Sequence, residues 1–226
     1  MYKLDVYLIR HGKTLCNEQK LYCGSSDIHL SEMGKKELLE LKALSDLNNQ
    51  KEKNLSIAEN LGLYRTTFKY PKCEKYYTSG AKRANETLEI LYPKVEYECI
   101  KEFFEYNFGD FEMKSYEMLK ENELYIKWIM DIEGKVSGFN GESKIEYRER
   151  ISNAFNSFIN KCSLENLKSV LLVSHGGTIG TILELFYSNE KSFYEWQPAC
   201  GLGYKLVVLW DEKEKSIKIE SSTALK

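Results

Sequence analysis

The sequence predicts an α/β protein, a three-layer α/β/α sandwich built on a mostly parallel central sheet. Three observations predict it. Two apolar runs of strand length, Leu4–Ile9 and Val170–Val173, lack clean alternation, as expected of strands covered on both faces. Helical repeats fall between the strand candidates, and strand–helix alternation along one chain favours helices on both sides of a sheet. Both apolar runs also end in the same phrase, an apolar run, a polar residue, His and Gly: "VYLIRHGKT" (Val6–Thr14) and "LLVSHGGT" (Leu171–Thr178).

In chain order, Leu4–Ile9 reads as the first strand. Ser31 can cap a helix whose apolar face runs through Leu38, Leu41, Leu44 and Leu47. Asn48–Lys72 is polar, irregular and long for a connection, a candidate insertion near the active face. Tyr76–Thr78 is a weaker strand, and Ala84, Leu88 and Leu91 mark the helix after "TSGAKR". Asp131–Ser143 is a Gly-containing loop with the composition of a movable segment. Ser143 and Glu146 form an S-x-x-E capping box, after which Tyr147, Ile151, Ala154, Phe155, Phe158 and Ile159 follow the helical period. Ile179, Ile182, Leu183 and Phe186 mark a helix directly after "SHGG". Tyr204–Leu209 is a last strand, at the core or the edge. The 226 residues fit one domain, 1–226, with the candidate insertion inside it.

Composition excludes more than it selects. Lys+Arg 32 against Asp+Glu 34 leaves a net charge of −2, with no electrostatic case for nucleic acid or a membrane surface as partner. The opening "MYKLDVYLIRHG" has too short an apolar run for a signal peptide, and no stretch reaches transmembrane length. Six scattered cysteines without a C-x-x-C pair read as reduced thiols in a cytoplasmic protein.

The chemistry concentrates at the two strand ends. In open α/β sheets ligands bind beyond the carboxyl ends of the strands, where His11 and His175 fall. The glycines behind them let the backbone turn and approach a ligand, and Gly176 opens a helix whose N-terminus favours an anion. Arg10 offers a donor fork suited to phosphate, and Arg83 follows the Tyr76–Thr78 strand in a comparable place. Two histidines and two arginines at one crevice would make a phosphoryl pocket without a metal. Two readings compete: unrelated core or loop histidines, or a zinc site using His29. His29 lies in the turn "SSDIHLSEMG", where a solvated cap-region histidine fits better, and Cys16 and Cys23 match no common zinc spacing.

The ordered motifs resemble the histidine phosphatase superfamily, the phosphoglycerate mutase-like proteins. "LIRHGKTLCNEQKLYCGSSDIHLSEMG" is similar to its opening, through Arg10, His11, Gly12, Thr14, Asn17, Gly24, Asp27, Leu30 and Gly34. "TSGAKRANET" resembles its S-P-L-x-R-A-x-x-T segment, "EYNFGDFE" its E-x-x-F-G-x-W-E-G segment, and "GESKIEYRER" its G-E-S helix entry. "VSHGG" supplies the second histidine. The matches cover residues 4 to about 180 in the family's order. Gly80 and Ala81 stand in place of Pro-Leu, Phe111 in place of Trp and Met113 in place of Gly.

The resemblance implies a phosphoglycerate mutase-like fold and a catalytic set of His11, Glu105 and His175. His11 would be the nucleophile forming a phosphohistidine, and Glu105 the acid for the leaving group, with Glu102 and Asp110 as rival carboxylates. Arg10, Arg83, Asn17 and Gly176 would bind the substrate phosphate, with no metal and no cofactor. The expected activity is hydrolysis of a small phosphomonoester. The alternatives are a cofactor-dependent phosphoglycerate mutase and a non-catalytic phospho-ligand binding module. Mutases of this type follow the acid Glu with Arg and carry a basic, proline-rich lid. Here Tyr106 follows Glu105, and the route from Phe111 to Gly141 is short, which favours the phosphatase.

Overall fold

A computed structural model describes residues 1–53, 69–188 and 190–225, without the side chains of 49–53. Six strands form one sheet: β1 (Tyr2–Arg10), β2 (Lys75–Thr78), β3 (Glu98–Cys99), β4 (Ser169–Ser174), β5 (Gly203–Asp211) and β6 (Ser216–Leu225). Their order across the sheet is β3-β2-β4-β1-β5-β6. The β3-β2-β4-β1 part is parallel, while β5 and β6 add on antiparallel beyond β1. The Tyr204–Leu209 strand is therefore internal, lying between β1 and β6.

Seven α-helices accompany the sheet among the described residues: α1 (Leu15–Gln19), α2 (Glu32–Lys53), α3 (Lys82–Leu91), α4 (Tyr116–Leu119), α5 (Glu123–Met130), α6 (Lys144–Leu164) and α7 (Gly176–Phe186). Alternating side chains divide the parallel strands between two cores. On one face, Leu4, Val6 and Leu8 of β1 and Val170 and Leu172 of β4 pack with Tyr147, Ile151, Phe155 and Ile159 of α6 and with Ile179, Ile182 and Leu183 of α7. On the other, Ile9, Leu171 and Val173 meet Leu38 of α2 and Ala84, Leu88 and Leu91 of α3. These are the three layers the sequence predicts.

The helix starts are built as their caps require. The Ser31 hydroxyl accepts from Gly34 N–H at 3.0 Å. The Ser143–Glu146 box is closed in both directions, at 3.2 and 2.7 Å. The predicted apolar face of α2 holds only in part, because Leu44 is 36% and Leu47 53% exposed while Leu38 is buried. Steps of three residues fall short of a full turn, so nine residues on from Leu38 the chain has rotated to about the opposite side of the helix. Ser45 and Asn48 take the inner positions instead. The candidate insertion falls mainly on 54–68, outside the described residues, and its first residues through Lys53 continue α2. The Asp131–Ser143 loop is tied down: Asp131 accepts from Gly134 and Val136 N–H, and Glu142 N–H donates to Asn107 O. Among the described residues no helix is long and apolar enough to cross a membrane.

The topology already points to one place. From β1 the chain leaves toward α2 on one face, whereas from the adjacent, parallel β4 it leaves through α7 on the other. Where neighbouring strands send their connections to opposite faces, a crevice opens beyond their carboxyl ends.

Candidate active site

Arg10 pairs with Ser174 at the last register position of β1 and β4, and His11 N–H donates to Ser174 O at 3.0 Å. His11 and His175 thus leave adjacent strand ends side by side, with ring centroids 5.2 Å apart at 63°. Both rings are buried. His11 Nδ1 lies 2.7 Å from Gly12 O. A carbonyl only accepts, so Nδ1 carries the proton and Nε2 keeps its lone pair. Burial, then the charges of Arg83 and Arg10, hold His11 well below the ordinary imidazole range, in its neutral form. His175 is lowered in the same way by burial, with Arg83 next. Its Nε2 lies 2.8 Å from the Ser79 hydroxyl, and its buried Nδ1 has no partner among the described residues.

Two guanidinium groups face the same crevice with donors to spare. Arg10 Nη1 donates to Pro198 O at 2.9 Å, and its buried Nε is unpartnered. Arg83, 1% exposed near the start of α3, donates from Nη1 to Ser26 O at 2.8 Å and from Nη2 to Gly24 O at 2.7 Å, leaving its Nε unpartnered too. Neither arginine has a carboxylate partner among the described residues. The loop that presents the two carbonyls is shaped by Glu112, whose carboxylate accepts from the N–H groups of Gly24, Ser25, Ser26 and Phe108 at 2.9–3.2 Å. Met113, where the resembling family has Gly, has φ 59°, a left-handed conformation that a glycine adopts without a Cβ clash.

Of the three carboxylates weighed from sequence, Glu105 is the one joined to the His175 helix. Its Oε2 accepts from Gly177 N–H at 2.8 Å, and its Oε1 from Tyr106 N–H at 3.0 Å and the Tyr147 hydroxyl at 2.7 Å. A Cβ at Gly177 would lie 2.4 Å from Glu105 Oε1, so a side chain there would displace this carboxylate from its present position. Glu102 and Asp110 are exposed. The Glu102 carbonyl, with those of Phe104 and Glu105, is held by the Arg150 fork at 2.8–3.3 Å, and this fixes the loop carrying Glu105.

The remaining predicted residues divide. Gly176 is the first residue of α7, behind the His175 N-cap, and its N–H has no partner among the described residues. Asn17 is committed on one side: its Oδ1 accepts from Thr14 N–H and the Thr14 hydroxyl at 3.0 Å as part of the α1 capping box, which leaves only its Nδ2 donors for a ligand. His29 pairs with Glu86 and is largely exposed. Ser79, Glu112, Tyr147 and Arg150 were not singled out from sequence. All four lie inside the quoted motifs, Tyr147 and Arg150 in "GESKIEYRER", which is the signal that could have found them. Tyr147 is hidden among the apolar positions of α6.

Comparison with known proteins shows the family and the fold. The profile of the histidine phosphatase superfamily (branch 1) matches residues 6–51 and 58–218. Among solved structures, the chain is similar to a putative alpha-ribazole-5'-P phosphatase from Escherichia coli K-12 MG1655, with TM-score 0.72, 21% identity, and coverage of 99% of this chain and 96% of that one. It is also similar to the alpha-ribazole phosphatase of Shigella flexneri (0.70, 21%, 99% and 96%). A phosphoglycerate mutase from Bacillus anthracis Sterne gives 0.68, 21%, 97% and 92%. None of the curated proteins matches. With the family profile running through both histidine strand ends and the Arg83 and Glu105 segments between them, the chain belongs to the histidine phosphatase superfamily.

Proposed function

We propose that the protein is a phosphomonoesterase that hydrolyses a small phosphorylated metabolite through a phosphohistidine on His11. The observation that carries this reading is a pair of guanidinium groups without a carboxylate partner among the described residues, Arg83 buried and Arg10 half-buried, beside a neutral imidazole. Burying a cation without a counter-charge costs several kcal/mol. A phosphoryl dianion seated against Arg10 Nε, Arg83 Nε, Gly176 N–H and, in its Nδ1-protonated tautomer, His175 Nδ1 would give each of these donors the acceptor it lacks among the described residues.

In the first step His11 Nε2 forms a bond to phosphorus as the ester P–O bond breaks in line, and the departing oxygen takes a proton from Glu105. In the second, Glu105 takes a proton from water, whose oxygen bonds to phosphorus as the N–P bond breaks. The donors around the phosphoryl oxygens stabilise charge that is greatest in the transition state. Asn17 Nδ2 joins them in this reading.

The position after the acid favours transfer to water over transfer between substrate hydroxyls. Tyr106 is buried, with its ring against Tyr147 and Trp128, so this position brings no cation to the crevice to retain a second phosphate. Six free thiols suit a reducing compartment such as the cytoplasm. The named phosphatase neighbours are 21% identical, a likeness that extends to fold alone, so an alpha-ribazole phosphate belongs in a substrate panel beside sugar phosphates and phosphoglycerates.

The test is hydrolysis of an aryl phosphate by wild type and by His11→Ala, with phosphate binding measured on both. Turnover that His11→Ala abolishes supports the enzyme. Phosphate binding without turnover on a broad phosphomonoester panel would sink it in favour of a binding module. Phosphoglycerate interconversion upon adding 2,3-bisphosphoglycerate would replace it with a mutase.

A further inference from the structure

The hydrogen bonds of Glu105 are unequal on its two oxygens. A carboxylate oxygen has two in-plane lone pairs. Oε1 uses both, on Tyr106 N–H at 3.0 Å and the Tyr147 hydroxyl at 2.7 Å, while Oε2 uses one, on Gly177 N–H at 2.8 Å. A transferable proton therefore sits on the remaining lone pair of Oε2, the oxygen at the start of α7 beside His175. We propose that Tyr147 is a positioning residue for this proton transfer, filling Oε1 so that Oε2 faces the leaving group with its free lone pair. The proposal rests on the reading of Glu105 as the acid and base.

Tyr147 is placed for this task. Its hydroxyl is buried between Glu105 and the Thr178 hydroxyl, which is 3.2 Å away. Thr178 Oγ1 lies near two carbonyls, Phe103 O at 3.3 Å and Phe104 O at 3.4 Å, and donates there or to Tyr147. A tyrosine has one proton, and the carboxylate is the stronger acceptor, so it goes to Glu105. Burial first, and then the charge of Glu105, push the Tyr147 phenol well above its ordinary range and keep it a donor. The ring cannot swing away. Tyr106 packs against one side at 5.1 Å, and the Arg150 guanidinium lies 5.1 Å from its centroid while gripping the carbonyl of Glu105. Without the hydroxyl the carboxylate could turn about its last bond and offer Oε1, which the backbone N–H of Tyr106 alone would no longer saturate.

The experiment compares Tyr147→Phe, Glu105→Gln and the double variant, reading kcat/KM for an alkyl phosphate and for p-nitrophenyl phosphate. This parameter reports the step in which the leaving group departs, and only the poor leaving group needs the proton. Tyr147→Phe keeps the ring and lowers the alkyl-to-aryl ratio about tenfold, the worth of one hydrogen bond to a charged group. In the Glu105→Gln background it lowers the ratio no further. Fluorotyrosine at position 147, a stronger donor of nearly the same shape, keeps the ratio at or above that of wild type.

An equal loss on both esters, a further loss in the Glu105→Gln background, or a fall with fluorotyrosine like that with Phe overturns the proposal. A Glu105→Gln variant whose own ratio is unchanged overturns the acid assignment and the proposal with it. That failure is told apart because it shows in the single Glu105 variant.

Discussion

Holding two histidines neutral in one crevice has a cost that acid conditions expose. Both start from an ordinary value of 6.5 and are lowered well below it, by burial first and by the nearby guanidinium charges after. Below that ordinary value the unfolded chain binds protons at these two sites and the folded chain does not, so stability is intact above it and is lost as the pH falls. For each site the loss is at most RT ln(1 + 10^(pKa − pH)) with the unfolded pKa, which between pH 7 and pH 5.5 is roughly 1 kcal/mol. Two sites together lose at most on the order of 2 kcal/mol between those conditions.

Other groups titrate in the same range, so the reference is a variant without these imidazoles. His11→Asn keeps a donor where Nδ1 stands, and His175→Gln keeps a polar atom where Nε2 stands. Urea unfolding of wild type and of the double variant, in buffer without phosphate, should show the wild type losing more stability between pH 7 and pH 5.5, by up to on the order of 2 kcal/mol. Equal losses would mean that the histidines titrate alike in the folded and unfolded chains, and would refute the argument from burial and guanidinium charge. In the proposed mechanism the same shift keeps the nucleophile active well below the pH at which a solvated histidine is charged.

Two further substitutions follow from single contacts. Met113→Gly should stabilise the fold by about 1 kcal/mol in urea unfolding, because a left-handed φ of 59° costs a side-chain-bearing residue about 1–2 kcal/mol. The loss of the 3.4 Å Cys16 Sγ–Met113 Sδ contact offsets part of that gain, and a destabilised variant would refute the strain. Ser79→Ala leaves His175 Nε2 buried without its 2.8 Å partner and should lower kcat/KM on an aryl phosphate about tenfold. Nitrogen NMR should show the tautomer balance of His175 shifting. Unchanged kinetics together with an unchanged tautomer would count against Ser79 as its orienting group.

What the sequence made legible was local. β1 and β4 could be read because each is a continuous apolar run that ends in His-Gly, and the start of α6 because its capping box spans four consecutive positions. β6 was missed because Ser and Lys dilute its alternation at the sheet edge, and β3 because it is two residues long. Leu44 and Leu47 were misread because a spacing of three resembles a helical face only over short stretches. At the site, the titratable and cationic groups of the motifs could be named as candidates, whereas the groups that orient them could not, although they sit in the same motifs. Tyr147 reaches Glu105 across 42 residues and Glu112 reaches Gly24 across 88, and no periodicity records a contact at that range. The pairing exists only once α6 and the loops before it have packed.

Arg83 is braced by carbonyls that are themselves aimed by Glu112. In the proposed mechanism the grip on an anion is thus two joints removed from a side chain in a different stretch of the chain, like a tool held by a clamp whose screw sits elsewhere. On that reading, whatever loosens the segment around Phe108–Glu112 should register as weaker hold on phosphate, although none of its residues is among the proposed phosphate ligands. Affinity for inorganic phosphate is therefore a sensitive gauge of whether these distant pieces are assembled, and it should fade before the fold as a whole gives way.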